Sequence, residues 1–277
     1  MTDTVATRYA GTRVPRVEDN RLLTGRGTFV DDVSRPGILH ACFVRSPFAH
    51  AKIQGIDAGA ALALPGVHAV FMASDLNPDV KEAWHAVAGK DIPDTPRPPL
   101  AEGEVKFVGD PVALVVAESR YIAEDAVELV DVDYEPLPAI ADFTRAAGAD
   151  VVVHEAYPDN VAGGLGGAPP DEETFSSAAH VAEAHVYQQI YAPVPMETRG
   201  MVVEWEASSE ELTVWASTQT PHELRAFAAR LLGIPAQGVR VILRDTGGGF
   251  GQKVVPMRED MCIMLAARKV PAALKWI

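Results

Sequence analysis

The apolar positions of this chain fall into short blocks, most of them a strand or one helix long. ILHACFVRS (38–46) and HAKIQGID (50–57) read as strands after an irregular start over residues 1–36. Asp57 can cap a short helix, AGAALALP, that stops at Gly66, and HAVFMA (68–73) is the next strand. Residues 77–104 hold five prolines and many charges, which predicts a long surface loop. PVALVVA (111–117) is apolar throughout, as expected of a strand buried on both faces. Ser119 can cap the helix RYIAEDAVELV, whose Ile122, Ala126, Leu129 and Val130 share a face. DVDYE (131–135) follows as a strand, so residues from about 25 to 140 form one α/β unit.

A linker region rich in glycine and proline covers 136–175, with its densest cluster at 163–170, and a domain boundary falls near 145–175. Beyond it, HVAEAHVYQQIYAPV (180–194) reads as a long strand. MVVEWE (201–206) and ELTVWAS (211–217) form a hairpin. Thr220, Pro221 and Glu223 give the next helix an N-cap, a proline at its first position and a capping-box glutamate. Leu224, Phe227, Ala228, Leu231 and Leu232 form its apolar stripe, and Gly233 ends it. VRVIL (239–243) is a strand, and MREDMCIMLAARK (257–269) a helix. The closing ALKWI reads as a buried strand. It is either a short terminal strand or the front part of something longer, in which case it leaves an apolar sheet edge exposed.

Composition adds limits rather than identity. With 277 residues, 48% apolar and 22% charged, the chain can bury one large core or two modest ones. No apolar run is long enough to span a bilayer, and MTDTVATRYAGTRVPR has no secretory h-region, so a cytoplasmic location is expected. The net charge of −14 argues against nucleic acid as a partner. Cys42 and Cys262 lie in apolar segments and read as buried free thiols. No Cys or His spacing suggests a metal held directly by side chains.

One stretch asks for a chemical explanation. RDTGGGFGQK (244–253) joins the strand VRVIL to a helix. Three successive glycines cost backbone entropy, so the chain there bends tightly or lets something approach closely. The G-x-G-x-x-G spacing fails because Gln252 stands where the third glycine belongs, and the P-loop pattern fails at Gln252 and Val254. Dinucleotide and ATP sites are therefore disfavoured, while a ligand-binding loop and a tight packed turn both stay open. Gln219, just before a helix N-terminus, is either a surface residue or an amide able to hold an oxo or hydroxyl group. Glu197 and Arg199 in PMETRG read as a structural ion pair.

Taken together and in order, RVEDNRLLTGRGTFVDDV, GILHACFVRSPFAHAKI, VKFVGDPVALVVAESRYIAEDAVELVDVDYEPLP, PMETRG, STQTPH and DTGGGFGQK resemble the molybdopterin-binding large subunits of the molybdenum hydroxylases. That family includes the xanthine dehydrogenases, aldehyde oxidases and aerobic carbon monoxide dehydrogenases. The resemblance covers nearly the whole chain. It implies an α/β (α+β) fold, with an α/β hammerhead domain over residues 20–140 and the first, incomplete part of a molybdopterin-binding domain over 150–277. It implies that Gly248, Gly249, Phe250 and Gly251 lie beside a molybdopterin-type molybdenum cofactor in its cytosine dinucleotide form, and that Gln219 hydrogen-bonds an oxo ligand of the metal. The implied reaction is oxidative hydroxylation of an aldehyde, an N-heterocycle or carbon monoxide, with water as the oxygen source. The family's base is a glutamate that would lie beyond Ile277. The resemblance therefore implies a missing C-terminal portion and an isolated chain without activity, and it names an FAD-binding medium subunit and an iron–sulfur small subunit as partners. Xanthine and aldehyde enzymes often carry glutamate where Val254 stands, which favours the carbon monoxide dehydrogenase-like branch. The competing reading is an inactive, partner-binding module.

Overall fold

The computed structural model describes residues 13–83, 97–162, 172–189 and 191–277. The glycine-rich cluster at 163–170 and the centre of the proline-rich loop lie outside them. In chain order the first half gives α1 (Asp19–Leu23), β1 (Leu39–Arg45), β2 (Ala51–Asp57), α2 (Gly59–Leu62), β3 (Val67–Phe71) and α3 (Ala73–Leu76). It continues with β4 (Glu104–Val105), β5 (Pro111–Ala117), α4 (Arg120–Val127) and β6 (Asp131–Pro136). The second half gives α5 (Glu172–Ser176), β7 (Met201–Glu206), β8 (Glu211–Ala216), α6 (Pro221–Leu232), β9 (Val239–Ile242), α7 (Arg258–Ala266) and β10 (Leu274–Trp276).

Two sheets organise these elements. A small sheet, β4-β2-β6, belongs wholly to the first half. The large one runs β3-β5-β1-β10-β7-β8-β9, so strands from both halves share it. The strand ALKWI is the seam. β10 runs parallel to β1, with Leu39 opposite Leu274, and antiparallel to β7, with Leu274 opposite Val203. The expectation of an exposed apolar edge at ALKWI is thus corrected: this strand has a hydrogen-bonded neighbour on each side, and all three of its residues are buried.

The continuous apolar run of β5 has a direct cause. Leu114 and Val116 enter the main core, while Ala113 and Val115 point the other way into a second cluster with Val44, Ala61, Ala126 and Val130. A strand buried on both faces has no position for a polar side chain. Helix α4 closes the second cluster, and its N-cap is Ser119, whose hydroxyl accepts from Ile122 N at 3.2 Å. Helix α6 lays Leu224, Phe227, Ala228, Leu231 and Leu232 into the main core and ends at Gly233 with φ +67°. Each of its large side chains contributes roughly 1.5–3 kcal/mol by leaving water. Helix α7 is buried from Asp260 to Ala266 on every side, which suits its uniformly apolar MCIMLAA.

Two local expectations fail. Residues 180–189 and 191–194 form no strand, and Val181, Val186, Tyr187, Tyr191 and Val194 are exposed. Alternation alone does not hold a strand: none of the described strands pairs with this segment. Thr220 makes no side-chain cap on α6; its hydroxyl donates to the carbonyl of Val254 at 2.5 Å.

The halves are also joined by charge. Arg258, at the first position of α7, pairs with Asp110 and donates to Pro98 O at 2.6 Å. Burial pushes the Asp110 carboxyl above its ordinary value, and the Arg258 charge opposes that. Replacing Asp110 by alanine strands a buried guanidinium, so Asp110→Ala should cost about 3 kcal/mol in urea denaturation. The double variant Asp110→Ala, Arg258→Met should recover more than half of that loss.

Candidate functional site

The glycine loop is built by four separate constraints. Gly247 packs on Glu197: a Cβ there would lie 2.5 Å from Glu197 Cβ. Gly248 has φ +95°, and an added Cβ would meet the Phe250 ring at 2.7 Å. Gly249 lies against Gln219, whose Cδ would be 2.4 Å from a Cβ. Gly251 has φ +84° with open space around it. The triple glycine is therefore needed for close backbone packing and left-handed turns. Phe250 also has a positive φ, +50°, which costs a non-glycine residue about 1 kcal/mol. The residue is 73% exposed.

The backbone hydrogen bonds of the loop divide sharply. Gly247 N–H donates to Glu197 Oε2 at 2.7 Å, Gly251 N–H to Gln219 Oε1 at 3.1 Å and Lys253 N–H to the same oxygen at 3.3 Å. Gln252 N–H closes a turn on Gly249 O at 3.0 Å. The N–H groups of Gly248, Gly249 and Phe250 have no partner among the described residues. Successive unpaired N–H groups on a loop that alternates hand form a concavity suited to anionic or strongly accepting groups. The structure thus brings all five sequence candidates together: Gln219 reaches across to Gly249 and Gly251, beside Gly248 and Phe250. Since Gln219 spends its Oε1 on the loop, its Nε2 donor has no partner among the described residues.

Behind the loop lies a buried polar cluster that sequence reading did not assemble. Lys253 is 1% exposed. Its Nζ donates to Glu197 O and Ser217 Oγ, each at 2.7 Å, and lies 3.3 Å from Glu197 Oε2. Ser217 in turn donates to Glu197 Oε2 at 2.6 Å, and Val30 N–H to Oε1 at 3.2 Å. Burial pushes the Glu197 carboxyl up, but the bonds from Ser217, Gly247 and Val30 and the Lys253 charge outweigh it and hold it below its ordinary value. Burial lowers the affinity of Lys253 for its proton, with Glu197 opposing.

The expected pairing of Glu197 with Arg199 is not found. Arg199 instead pairs with Asp260 and donates to Gln252 O at 2.6 Å, holding the far end of the loop to α7. Charge within a short motif could not reveal partners 56 and 61 residues away. At the near end, Asp245 is bound by Arg21 and by Thr28 N–H at 2.7 Å. Clefts flank the loop on both sides. One of about 1250 Å³ includes Arg199 and Gln252 with Phe43, Arg45, Arg258 and Trp276. Another, of about 750 Å³, includes Gly247 and Asp245 with Arg16, Phe29 and Arg244. Neither includes Gln219 or Gly248–Gly251. No group of three or more His, Cys, Asp or Glu residues could hold a metal ion among the described residues, and none of their helices is long and apolar enough to cross a membrane.

A donor-lined loop anchored from behind, on a sheet shared by two halves, defines a cofactor-binding architecture, and comparison with known proteins assigns it. The family described as aldehyde oxidase and xanthine dehydrogenase, a/b hammerhead domain, matches residues 24–138, and the molybdopterin cofactor-binding domain matches residues 153–277. The chain belongs to the molybdenum hydroxylase family, in its molybdopterin-binding large-subunit class. It is 42% identical to the nicotine 6-hydroxylase large subunit of Paenarthrobacter nicotinovorans over 96% of this chain and 33% of that protein. With the carbon monoxide dehydrogenase large chain of Hydrogenophaga pseudoflava it shares 36% identity over 94% of this chain and 34% of the relative. The structure of quinoline 2-oxidoreductase from Pseudomonas putida 86 superposes with a TM-score of 0.87 at 37% identity, covering 96% of this chain and 34% of that one. The chain thus spans about a third of the length of the relatives it matches.

Two outcomes follow for the loop. Gly249→Ala should displace Gln219 and lower stability by about 1–3 kcal/mol, read by chemical denaturation. The bonds from Arg21 and then Thr28 hold the Asp245 carboxyl at about 2, below its ordinary 3.8. A depressed carboxyl stabilises the fold above its unfolded value and stops doing so as pH falls through the folded one. Wild type should therefore melt above Asp245→Asn at about pH 6, and the gap should close between about pH 4 and about pH 2.

Proposed function

We propose that this chain supplies the glycine-loop wall of a molybdenum–pterin site in an oxidoreductase of the hydroxylase type. The unpaired N–H groups of Gly248, Gly249 and Phe250 carry this reading. They fit a group rich in acceptor oxygens, and in a protein of net charge −14 such local dipoles, rather than the overall field, favour an anion. Gln219 would direct its Nε2 donor at an oxo group while its Oε1 keeps the loop in shape. The exposed Phe250 ring would cover one side of the bound group and shed water from it. When bound, the cofactor supplies two-electron oxidation of a carbon centre with oxygen drawn from water.

The residues of this chain would bind and orient, but the described ones offer no free base beside the loop. The Glu197 carboxylate accepts from four donors and balances the buried Lys253 ammonium, so taking up a substrate proton would leave that charge unbalanced. The base would be a glutamate in polypeptide outside these 277 residues, and the isolated chain would be inactive. By the same reading the cofactor is the cytosine dinucleotide form, and subunits carrying FAD and iron–sulfur clusters take the electrons away.

Two substrate readings have support. Val254 directly after Lys253 favours a carbon monoxide dehydrogenase-like branch, with a relative at 36% identity. An N-heteroaromatic ring is favoured by the 42% identity to a nicotine 6-hydroxylase large subunit. Co-expression with the remaining two thirds of a related large subunit, under molybdate-replete conditions, should yield protein with molybdenum and pterin in equal amounts. Preparations that fold but hold neither would end the proposal. Turnover of carbon monoxide, but not of nicotine or quinoline, would select the first branch, and the reverse would select the second.

A further inference from the structure

The polar cluster behind the loop is more elaborate than anchoring one turn requires. Four donors from three parts of the chain meet on a single carboxylate: Val30 N–H, Ser217 Oγ–H, Gly247 N–H and the Lys253 ammonium. Ser217 relays between Lys253 and Glu197, accepting from one at 2.7 Å and donating to the other at 2.6 Å. Lys253 pairs with no other carboxylate among the described residues and lies wholly inside the protein, so its charge is balanced only if Glu197 is ionised. The pair touches both ends of the loop: Glu197 accepts from Gly247, and Lys253 is itself the other end. Gly247 N–H is held by the Glu197 side chain, and Lys253 N–H is held by Gln219. Thr218 and Gln219, on the strand end that carries Ser217, also bind Lys253 O, at 3.2 and 2.9 Å.

From this geometry we infer that Glu197 and Lys253 are positioning residues: a buried ion pair, relayed by Ser217, fixes the outward direction of the unpaired N–H groups at Gly248, Gly249 and Phe250 for an oxygen-rich anionic ligand. The assignment of that ligand rests on the function proposed above, while the tethering itself does not. The pair also contributes no net charge behind the loop, so it neither repels nor traps an anion in front. A glutamine at 197 keeps the size of the side chain but presents an –NH₂ to a site where every neighbour donates. It therefore cannot satisfy all four donors, and it leaves Lys253 buried with its charge unbalanced.

The test compares wild type with Glu197→Gln and with the milder Ser217→Ala, each produced with the rest of a related large subunit. Hydrogen exchange is read at the amides of Gly247, Gly251 and Lys253, and molybdenum and pterin are measured per chain. Glu197→Gln should speed exchange at all three amides by about tenfold or more, and Ser217→Ala by less, with exchange in α4 unchanged. Molybdenum and pterin content should fall in the same order. Faster exchange at Gly247 alone, or a loosened loop that still carries a full complement of molybdenum, would overturn the inference. If Glu197→Gln does not fold, unchanged exchange and metal content in Ser217→Ala would do so. If wild type itself binds no pterin, the proposed function falls. The exchange pattern then decides the tether by itself, because loosening across all three amides upholds it and an unchanged pattern overturns it.

Discussion

The site depends on the placement of one negative charge inside the protein. Glu197 sits in a bend just before β7, and its carboxylate gathers the N-terminal segment, the end of β8, the glycine loop and the only fully buried ammonium of the described residues. Isolated, either ion would be too costly to bury. Together, with hydrogen bonds on the remaining lone pairs, they form a neutral support against which a loop of small residues can lie flat. The loop can then leave several N–H groups unpaired on its outer side without losing its shape.

This arrangement changes the meaning of the triple glycine. A run of glycines invites the idea that a ligand presses against the backbone. Here two of the three are required by what lies behind and beside them, the side chains of Glu197 and Gln219, and the third by backbone hand and the Phe250 ring. Only Gly251 faces open space. Close internal packing accounts for these glycines, and it leaves the N–H groups of Gly248, Gly249 and Phe250 without a partner among the described residues.

Much of the fold was legible because its signals are local. The unbroken apolar run of β5, the stripe of α6 and its closing Gly233 each state their own structure. The motifs around Gln219 and Gly248–Gly251 were joined into one site by family resemblance, since their residues alone left a surface amide and a tight packed turn open. What could not be read was long-range pairing. Glu197 and Arg199 are two residues apart and look like partners, yet each is drawn to a charge more than fifty residues away. Residues 180–189 and 191–194 have the alternation of a strand and lack a neighbour among the described strands. ALKWI announced its burial but not its place, since hydrophobicity says that a strand is covered and not by what. Its Lys275 was no guide either, because the ammonium escapes sideways to Asp31, 2.8 Å away.

That place has a consequence in time. On the ribosome, β1 and β5 are made early and can pair at once, and β7, β8 and β9 can assemble behind them. The two groups share no backbone hydrogen bond until Leu274–Trp276 emerge and slide between β1 and β7. The nascent chain must therefore carry two half-sheets, each with an open inner edge, until β10 emerges. Those edges are inviting to other chains, so this protein should be a customer of whatever shields nascent polypeptides during that interval.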